Sequence, residues 1–319
     1  MIIGHQKQWN FLKSKFESGQ LSHAYLFSGQ DQLGKKFSAK EFIKLINCQS
    51  QNEKPCGVCF SCQRIEKENY PDFSIVKLKE GESEIQIAQI RELQNFLNYK
   101  SYYGSFKSAI VDDAELMSRE SQSCFLKTLE EPKGKTLLIL TVSDPAKLLN
   151  TISSRCQLVK FFPASKTEIK NYIKAQKVSG EKAELIAEMS EGRPGRAFEF
   201  IFNQEKLEKE KNDLKELLKV AGADLAEKFQ YTKSFKEENS SLKELLEMLE
   251  RYLRHLLLFK IGAKKPEDFN YFSELPQKIA NYPVSKIKNI LKLAENINSK
   301  ISLTNASPKL ALEILLMEF

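Results

Sequence analysis

The sequence predicts an α/β fold, with a parallel sheet in the first half of the chain and helices alone in the second. Short apolar runs alternate with helix-like segments up to residue 162, as in right-handed βαβ crossovers with helices on both faces of the sheet. Pro163 ends the last run, and strand-like runs stop from about residue 208. The five predicted strands are AYLFS (24–28), FSIVKL (73–78), SAIVDD (108–113), TLLILTVS (136–143) and QLVKFF (157–162).

Two helix starts are predicted from capping patterns. The segment SEIQIAQIRELQNFLNYK carries apolar residues at helical spacing, and Ser83 with Gln86 has the spacing of a capping box at its start. Ser165 with Glu168 forms a second such pair directly after Pro163. Short helices are therefore expected from there to the segment EGRPGRA.

Length and composition indicate an ordinary globular chain of two or three domains. It has 319 residues, of which 41% are hydrophobic and 29% charged, and its formal net charge is +7. That charge is compatible with nucleic-acid contact, but on charge alone a lysine-rich solvated surface is the favoured explanation. No apolar run reaches the roughly 18–20 residues that span a bilayer. The start MIIGHQKQWN lacks a signal-peptide pattern, so we expect a cytoplasmic protein.

Four cysteines predict a structural zinc site. Cys48, Cys56, Cys59 and Cys62 follow the pattern C-x7-C-x2-C-x2-C. Two-residue gaps let successive thiolates bind one tetrahedral ion, and four sulfur ligands leave no open position for water. A redox role is the alternative, because a single CxxC pair also occurs in redox motifs. We expect simple burial for Cys124 and Cys156.

The first predicted strand is followed by a degraded phosphate-binding loop. Gly29, Gly34 and Lys35 match the P-loop spacing G-x-x-x-x-G-K, in which backbone N–H groups and the lysine bind phosphate. The next position normally supplies a Ser or Thr hydroxyl to Mg²⁺, but here it is Lys36. An ammonium group cannot ligate a metal ion and would repel it.

The matching acidic motif is also altered. Asp112 ends a predicted buried strand where a metal-supporting carboxylate is expected. Asp113 follows where an active ATPase of this type carries Glu, and its side chain is one methylene shorter. Phosphoryl transfer depends on the metal ion and on positioning, so we expect no efficient hydrolysis by this chain. Nucleotide binding without turnover stays open, as does a purely structural turn.

These motifs, in this order, resemble the delta-prime family of the bacterial DNA polymerase III clamp loader. The resemblance extends over residues 1 to about 165, through IVDDAELMS, FLKTLEEP and LILTVSDPAKLLNTISSRCQ, and returns in the ending ISLTNASPKLALEILLMEF. It implies an AAA+ P-loop-type domain with the cysteine module (1–163), a small helical lid (164–207) and an all-α collar that joins a pentamer (208–319). Structural zinc is the implied cofactor, and ATP is not expected as one.

The resemblance also implies a role for Arg155, in the segment SSRC. In this family that arginine acts in trans on nucleotide bound by a neighbouring subunit; a local salt bridge is the structural alternative. The implied partners are the tau/gamma and delta subunits, with the sliding clamp and primer–template DNA reached through the complex. Arg193 and Arg196 lie where a second sensor can sit, and we expect capping or surface roles for them.

Two other functions remain open from the sequence. The first is an active clamp-loader ATPase of the tau/gamma type, which Lys36, Asp113 and the lack of a long extension after residue 319 disfavour. The second is a zinc-stabilised DNA-binding protein that acts alone, which the lack of an aromatic and basic recognition motif disfavours.

Overall fold

The structure is a computed structural model that describes residues 2–51, 53–104, 106–235, 239–263, 279, 281–301 and 307–319. The chain forms two compact units, Met1–Glu199 and Phe200–Phe319, and each is described by itself. Within the described residues, none of the helices combines the length and the apolar character needed to cross a lipid bilayer.

The first unit alternates strands and helices, as the sequence predicts. Two short 3₁₀ turns, Ala114–Leu116 and Pro145–Lys147, lie after β3 and β4. In chain order the elements are α1 (Gln6–Glu17), β1 (Ala24–Ser28), α2 (Lys35–Asn47), α3 (Phe60–Glu66), β2 (Phe73–Val76), α4 (Ile87–Asn98), β3 (Lys107–Val111), α5 (Arg119–Glu130), β4 (Thr136–Val142), α6 (Asn150–Ser153), β5 (Gln157–Lys160), α7 (Lys166–Ala175) and α8 (Gly180–Met189). Helix α9 (Pro194–Phe202) follows; it begins in this unit, and its last three residues belong to the second.

The five strands form one parallel sheet in the order β2-β3-β4-β1-β5. The first strand therefore lies near the middle, between β4 and β5, and its carboxyl end meets the ends of β3 and β4 at one edge. Ligand sites of open parallel sheets lie at this edge. The parallel α/β sheet predicted from the sequence is confirmed.

Helices cover both faces of the sheet, as expected for a parallel sheet. Side chains of β1 alternate between the two faces. Ala24 and Leu26 belong to one buried cluster with residues of α4 and α5, and Tyr25 and Phe27 belong to a second cluster with residues of α1 and α2. All five residues of β1 are buried, which fixes the strand and the loop that follows it.

The capping box predicted for Ser83 and Gln86 is wrong, whereas the pair Ser165–Glu168 is confirmed. Helix α4 begins at Ile87, and the Gln86 N–H donates to Gln89 Oε1 over 3.1 Å. The helix cannot start earlier, because the Ile85 N–H donates to the carbonyl of Leu116 and keeps the chain extended there.

The second unit is helical in its described residues. Its core is a single cluster of mostly leucine, isoleucine and tyrosine side chains from several helices. The helices are α10 (Gln204–Ala221), α11 (Leu225–Ser234), α12 (Asn239–Lys260), α13 (Val284–Ile301) and α14 (Pro308–Glu318). Part of the ending used for the family resemblance, residues 302–306, lies outside the described residues.

Candidate functional site

The P-loop backbone is present between β1 and α2. Gly29 follows β1, and a Cβ atom there would lie 2.5 Å from the carbonyl oxygen of Phe161, so a larger residue does not fit. Gly34 precedes the helix with φ +85°, a left-handed conformation that glycine adopts without strain. Lys35 is the first residue of α2. The sequence therefore keeps the turn that a phosphate site needs.

The Lys35 ammonium is bound by its own loop. The side chain is only 5% exposed, and it donates to the carbonyl oxygens of Gly29 and Gln30 and to Ser143 Oγ, the last over 3.1 Å. Burial lowers the pKa of Lys35, while nearby carboxylates, Asp31 first, act in the opposite direction. The group that would bind phosphate is thus satisfied inside the protein.

Lys36 pairs with the acidic motif at the end of β3. Its Nζ lies 3.0 Å from Asp112 Oδ2, and the other oxygen of Asp112 accepts a hydrogen bond from Thr141 Oγ1 over 2.8 Å. In a P-loop ATPase the residues at these two positions hold Mg²⁺ between them. Here the residues at these two positions form an ion pair with each other, and the Lys36 ammonium supplies the positive charge beside Asp112.

Asp113 lies in the left-handed region, at φ +49°, and turns away from the strand. Its N–H donates to Thr141 Oγ1 over 3.0 Å. Although the residue reaches the surface, desolvation of its carboxyl group and repulsion from Asp112 and Glu115 raise the pKa of Asp113 to about 6. The carboxylates at this edge of the sheet therefore repel one another, and the two lysines offset that repulsion.

Two carboxylates of this site, Glu115 and Asp31, and two hydroxyl-bearing residues were not predicted from the sequence to take part in it. Glu115 Oε1 accepts the N–H of Ser143 over 2.6 Å, and Asp31 accepts a hydrogen bond from Ser143 Oγ. Thr141 and Ser143 thus connect the ends of β3 and β4 to the P-loop. Their place at the end of a buried strand was the available signal.

An apolar cavity of about 440 Å³ lies beside the P-loop. His5 borders it: its Nε2 lies 2.8 Å from the carbonyl oxygen of Leu33, and its ring packs against Phe161. Burial lowers the pKa of His5, which favours the neutral imidazole. Further lining residues are Gly34, Phe37, Tyr172, Pro194 and Phe198.

The four cysteines predicted as metal ligands come together. Their Sγ atoms all lie within 4.8 Å of one another, and those of Cys48 and Cys59 are 4.0 Å apart. A tetrahedral site with zinc–sulfur bonds of about 2.3 Å requires sulfur atoms about 3.8 Å apart. The donor set therefore fits a metal ion such as zinc with little adjustment.

Backbone N–H groups donate hydrogen bonds to these sulfur atoms and so stabilise their thiolate form. The N–H of Cys56 donates to Cys48 Sγ and that of Cys59 to Cys56 Sγ, over 3.4 and 3.3 Å. Hydrogen bonds from the N–H groups of Cys59 and Val58 lower the pKa of Cys56 to about 6. Burial raises the pKa of Cys62, a shift that binding to a cation would offset, because coordinated thiols lose their proton.

The cysteine cluster joins two helices of the first unit. Cys48 caps the carboxyl end of α2, the helix that the P-loop begins. Cys59 precedes α3, and Cys62 lies in its first turn. A metal ion at this cluster would therefore fasten the short helix α3 to the far end of α2.

Arg155 lies after α6, away from the P-loop residues in the chain. Its side chain is 38% exposed, with Nη2 2.8 Å from Glu130 Oε1 and Nη1 donating to the carbonyl oxygen of Thr151 over 2.9 Å. The salt bridge considered from the sequence thus exists, and it leaves the guanidinium at the surface.

The remaining candidate residues differ from expectation in how far they are exposed: the arginines are less exposed and the two other cysteines more exposed than the sequence predicts. Arg196 is only 6% exposed, so the surface position predicted for it is wrong, and Arg193 is half-buried. Cys124 and Cys156 are both half-buried beside the core of the sheet. Burial raises the pKa of Cys156 to about 12, so its thiol is inert at neutral pH.

The matching family model and the curated relatives both correspond to subunits of DNA polymerase III. A model of the family described as "DNA polymerase III, delta subunit" matches residues 4–165. DNA polymerase III subunit delta' of Bacillus subtilis is 36% identical over 179 residues, which are 56% of this chain and 54% of that protein. DNA polymerase III subunit tau/gamma of Haemophilus influenzae is 34% identical over 173 residues, which are 54% of this chain and 25% of that protein.

Among solved structures, a gamma subunit-related protein of DNA polymerase III from Thermotoga maritima is 20% identical, with a TM-score of 0.49 over 97% of both chains. The matched segment spans about half of the Bacillus subtilis relative and a quarter of the Haemophilus influenzae relative. The family model covers the sheet, the altered P-loop, the cysteine cluster and Arg155. It extends over just over half of the 319 residues, and the chain therefore belongs to the DNA polymerase III delta subunit family.

Proposed function

We propose that this chain is a delta-prime-type subunit of the DNA polymerase III clamp loader, and that it assists ATP hydrolysis by a neighbouring subunit without hydrolysing ATP itself. Its partners would be tau/gamma and delta subunits in a hetero-pentamer. The sliding clamp and primer–template DNA would be reached through that complex. The lid (164–207) and collar (208–319) boundaries stay predictions, as does a cytoplasmic location.

One contact carries the non-hydrolysing part of this proposal, the 3.0 Å ion pair between Lys36 Nζ and Asp112 Oδ2. A Mg²⁺ ion would need the Asp112 carboxylate and a hydroxyl at position 36. To bind there, the ion would have to displace a covalently attached ammonium group and remain next to it. Lys35 adds to this barrier, because its ammonium already binds the loop carbonyls and Ser143.

The assisting part rests on Arg155. Its guanidinium is 38% exposed at the end of a short helix, where another protein can reach it. An arginine supplied in trans neutralises charge that develops on the transferred phosphoryl group. The family match over this segment supports the same role. The four-cysteine cluster would hold structural zinc in this proposal, with no part in the chemistry.

A second candidate is an active ATPase of the tau/gamma type. It is favoured by the match to a relative of that name and by the cavity of about 440 Å³ beside the P-loop. The Lys36–Asp112 pair opposes it, because a motor of this kind needs the metal ion at that place.

Two measurements test the proposal. The purified chain alone should show no Mg²⁺-dependent ATP hydrolysis, and sustained turnover that co-purifies with it would favour the second candidate. In a loader reconstituted with tau/gamma and delta subunits, Arg155→Ala should lower ATP turnover at least about tenfold without preventing assembly. Arg254→Ala is the matched control, because Arg254 also forms an exposed ion pair, with Glu295 at 3.2 Å. Equal turnover by both variants would contradict the assisting role.

A further inference from the structure

We propose that Glu130 is a positioning residue for Arg155: its carboxylate selects the side-chain conformation in which the guanidinium faces a neighbouring subunit. This inference rests on the proposed function, since it concerns the same arginine. It assigns a role to the last residue of α5, which no motif of the nucleotide site includes.

The backbone around Arg155 is held from both sides. Ile152 is fully buried, and Cys156 packs against the same cluster under the sheet. The N–H of Arg155 donates to the carbonyl of Ile152 over 3.1 Å, which continues the turn of α6. The Cα of Arg155 is therefore fixed by the core, and only its long side chain is left to be oriented.

Two contacts orient that side chain. The Glu130 carboxylate binds Nη2 at 2.8 Å, and the Thr151 carbonyl accepts from Nη1 at 2.9 Å. The carboxylate comes from α5 and the carbonyl from α6, so two separate elements determine where the planar group lies. A guanidinium carries five N–H donors, and these contacts leave donors for an incoming anion.

The ion pair with Glu130 orients the Arg155 side chain but is weak enough to be broken. Glu130 and Arg155 are 49% and 38% exposed, so water and salt screen their attraction. A phosphoryl group with more than one negative charge can therefore draw the arginine away from Glu130 when a nucleotide approaches. Without Glu130, the Arg155 side chain would sample many conformations. The entropy lost when it is ordered would then add to the free-energy barrier of each catalytic cycle.

The test measures ATP turnover by the reconstituted loader. The relevant part of this turnover is the difference in kcat between the loader with the unmodified chain and the loader with Arg155→Ala. Glu130→Ala should lower the kcat of this part about two- to fivefold, the range expected for an exposed ion pair, and leave the KM for ATP unchanged. The kcat of Glu130→Gln, which keeps an acceptor oxygen, should lie between those of the unmodified chain and of Glu130→Ala. Glu131→Ala is the matched control, because Glu131 is the next residue and is also exposed.

A double mutant separates positioning from a general structural effect. In an Arg155→Ala background, Glu130→Ala should cause no further loss of kcat, because its effect passes through the arginine. An additive loss in the Arg155→Ala background would overturn the inference. So would an unchanged or raised kcat of the single Glu130→Ala variant. If Arg155→Ala itself leaves turnover unchanged, the assisting role fails first. If Arg155→Ala lowers turnover and Glu130→Ala does not, only the positioning role fails.

Discussion

Replacement of Lys36 by Thr is the perturbation that tests the nucleotide site most directly. It removes the ammonium beside Asp112 and supplies the hydroxyl that a P-loop normally offers to Mg²⁺. We expect the Lys36→Thr variant to gain Mg²⁺-dependent ATP binding at least about tenfold tighter than that of the unmodified chain, which corresponds to about 1.4 kcal/mol.

The cost to folding should be small, and the structure indicates its size. Two unit charges 3.0 Å apart attract by about 5.5 kcal/mol at an effective dielectric constant of about 20 and by about 1.4 kcal/mol in water. The Lys36 side chain is 35% exposed, so screening and lost side-chain entropy reduce the net contribution to about 1 kcal/mol or less. For a unit of this size, that lowers Tm by about 2–4 °C.

Isothermal titration with ATP, with and without Mg²⁺, measures the effect. Lys36→Met is the matched control, since it removes the charge but supplies no oxygen ligand. Equal affinities of the Thr and Met variants would refute the metal argument, because charge removal alone would then explain any gain. Tight Mg²⁺-dependent binding and cleavage by the unmodified chain would refute the reasoning altogether.

Three further predictions concern the cysteines, the acidic edge of the sheet and the loop anchor. Purified chain should contain about one zinc ion, and Cys62→Ser should lose it and lower Tm by at least about 5 °C, whereas Cys124→Ser should do neither. Asp113→Asn should raise Tm by about 1–3 °C at pH 7.5 and leave it unchanged near pH 4, as thermal scans at both pH values can show. Gly29→Ala should lower Tm, because its methyl group would meet the Phe161 carbonyl at 2.5 Å, whereas Gly19→Ala, where no atom lies within 4 Å, should show only the strain of a positive φ.

The pH dependence follows from the direction of the Asp113 shift. Folding raises the pKa of this carboxyl group from 3.8 to about 6. Between those values the folded chain binds more protons than the unfolded chain, so this group's contribution to stability falls as the pH rises. The penalty is fully present above about pH 6 and absent below about pH 3.8, and asparagine, which tolerates a positive φ, removes it. An equal Tm gain at both pH values would contradict this assignment, and zinc-free protein with an unchanged Tm would contradict the structural role of the cysteines.

Local patterns predicted the strands well, since each buried strand is a short apolar run between turn residues. β1 lies at the predicted residues 24–28. β3 was predicted to reach Asp113 but ends at Val111, because Asp113 adopts φ +49° and leaves the sheet. Such a departure depends on the hydrogen bonds of Thr141, which lies on another strand.

A site could be predicted from the sequence where one short motif supplies all of its side chains. The cysteine spacing alone indicated that four sulfur atoms would meet. The identity of Lys36 indicated the lost metal ligand, but its pairing with Asp112 joins residues far apart in sequence and needed the sheet order. Glu115, Asp31 and Glu130 lie in a short turn, in a loop and at a helix end, where no periodic pattern distinguishes them from solvated surface. Their contacts became visible only in the fold.

The Lys36–Asp112 pair has a consequence for how this end of the sheet responds to its surroundings. A magnesium ion exchanges with solvent, and its occupancy follows the cellular concentration of free ion and nucleotide. An ammonium on a four-carbon stem is always present at high local concentration and cannot be chelated away. The ends of β3 and β4 should therefore keep one arrangement whatever the concentrations of free magnesium and nucleotide. In the proposed clamp-loader complex, this would give the moving subunits a fixed reference through every round of a neighbour's nucleotide cycle.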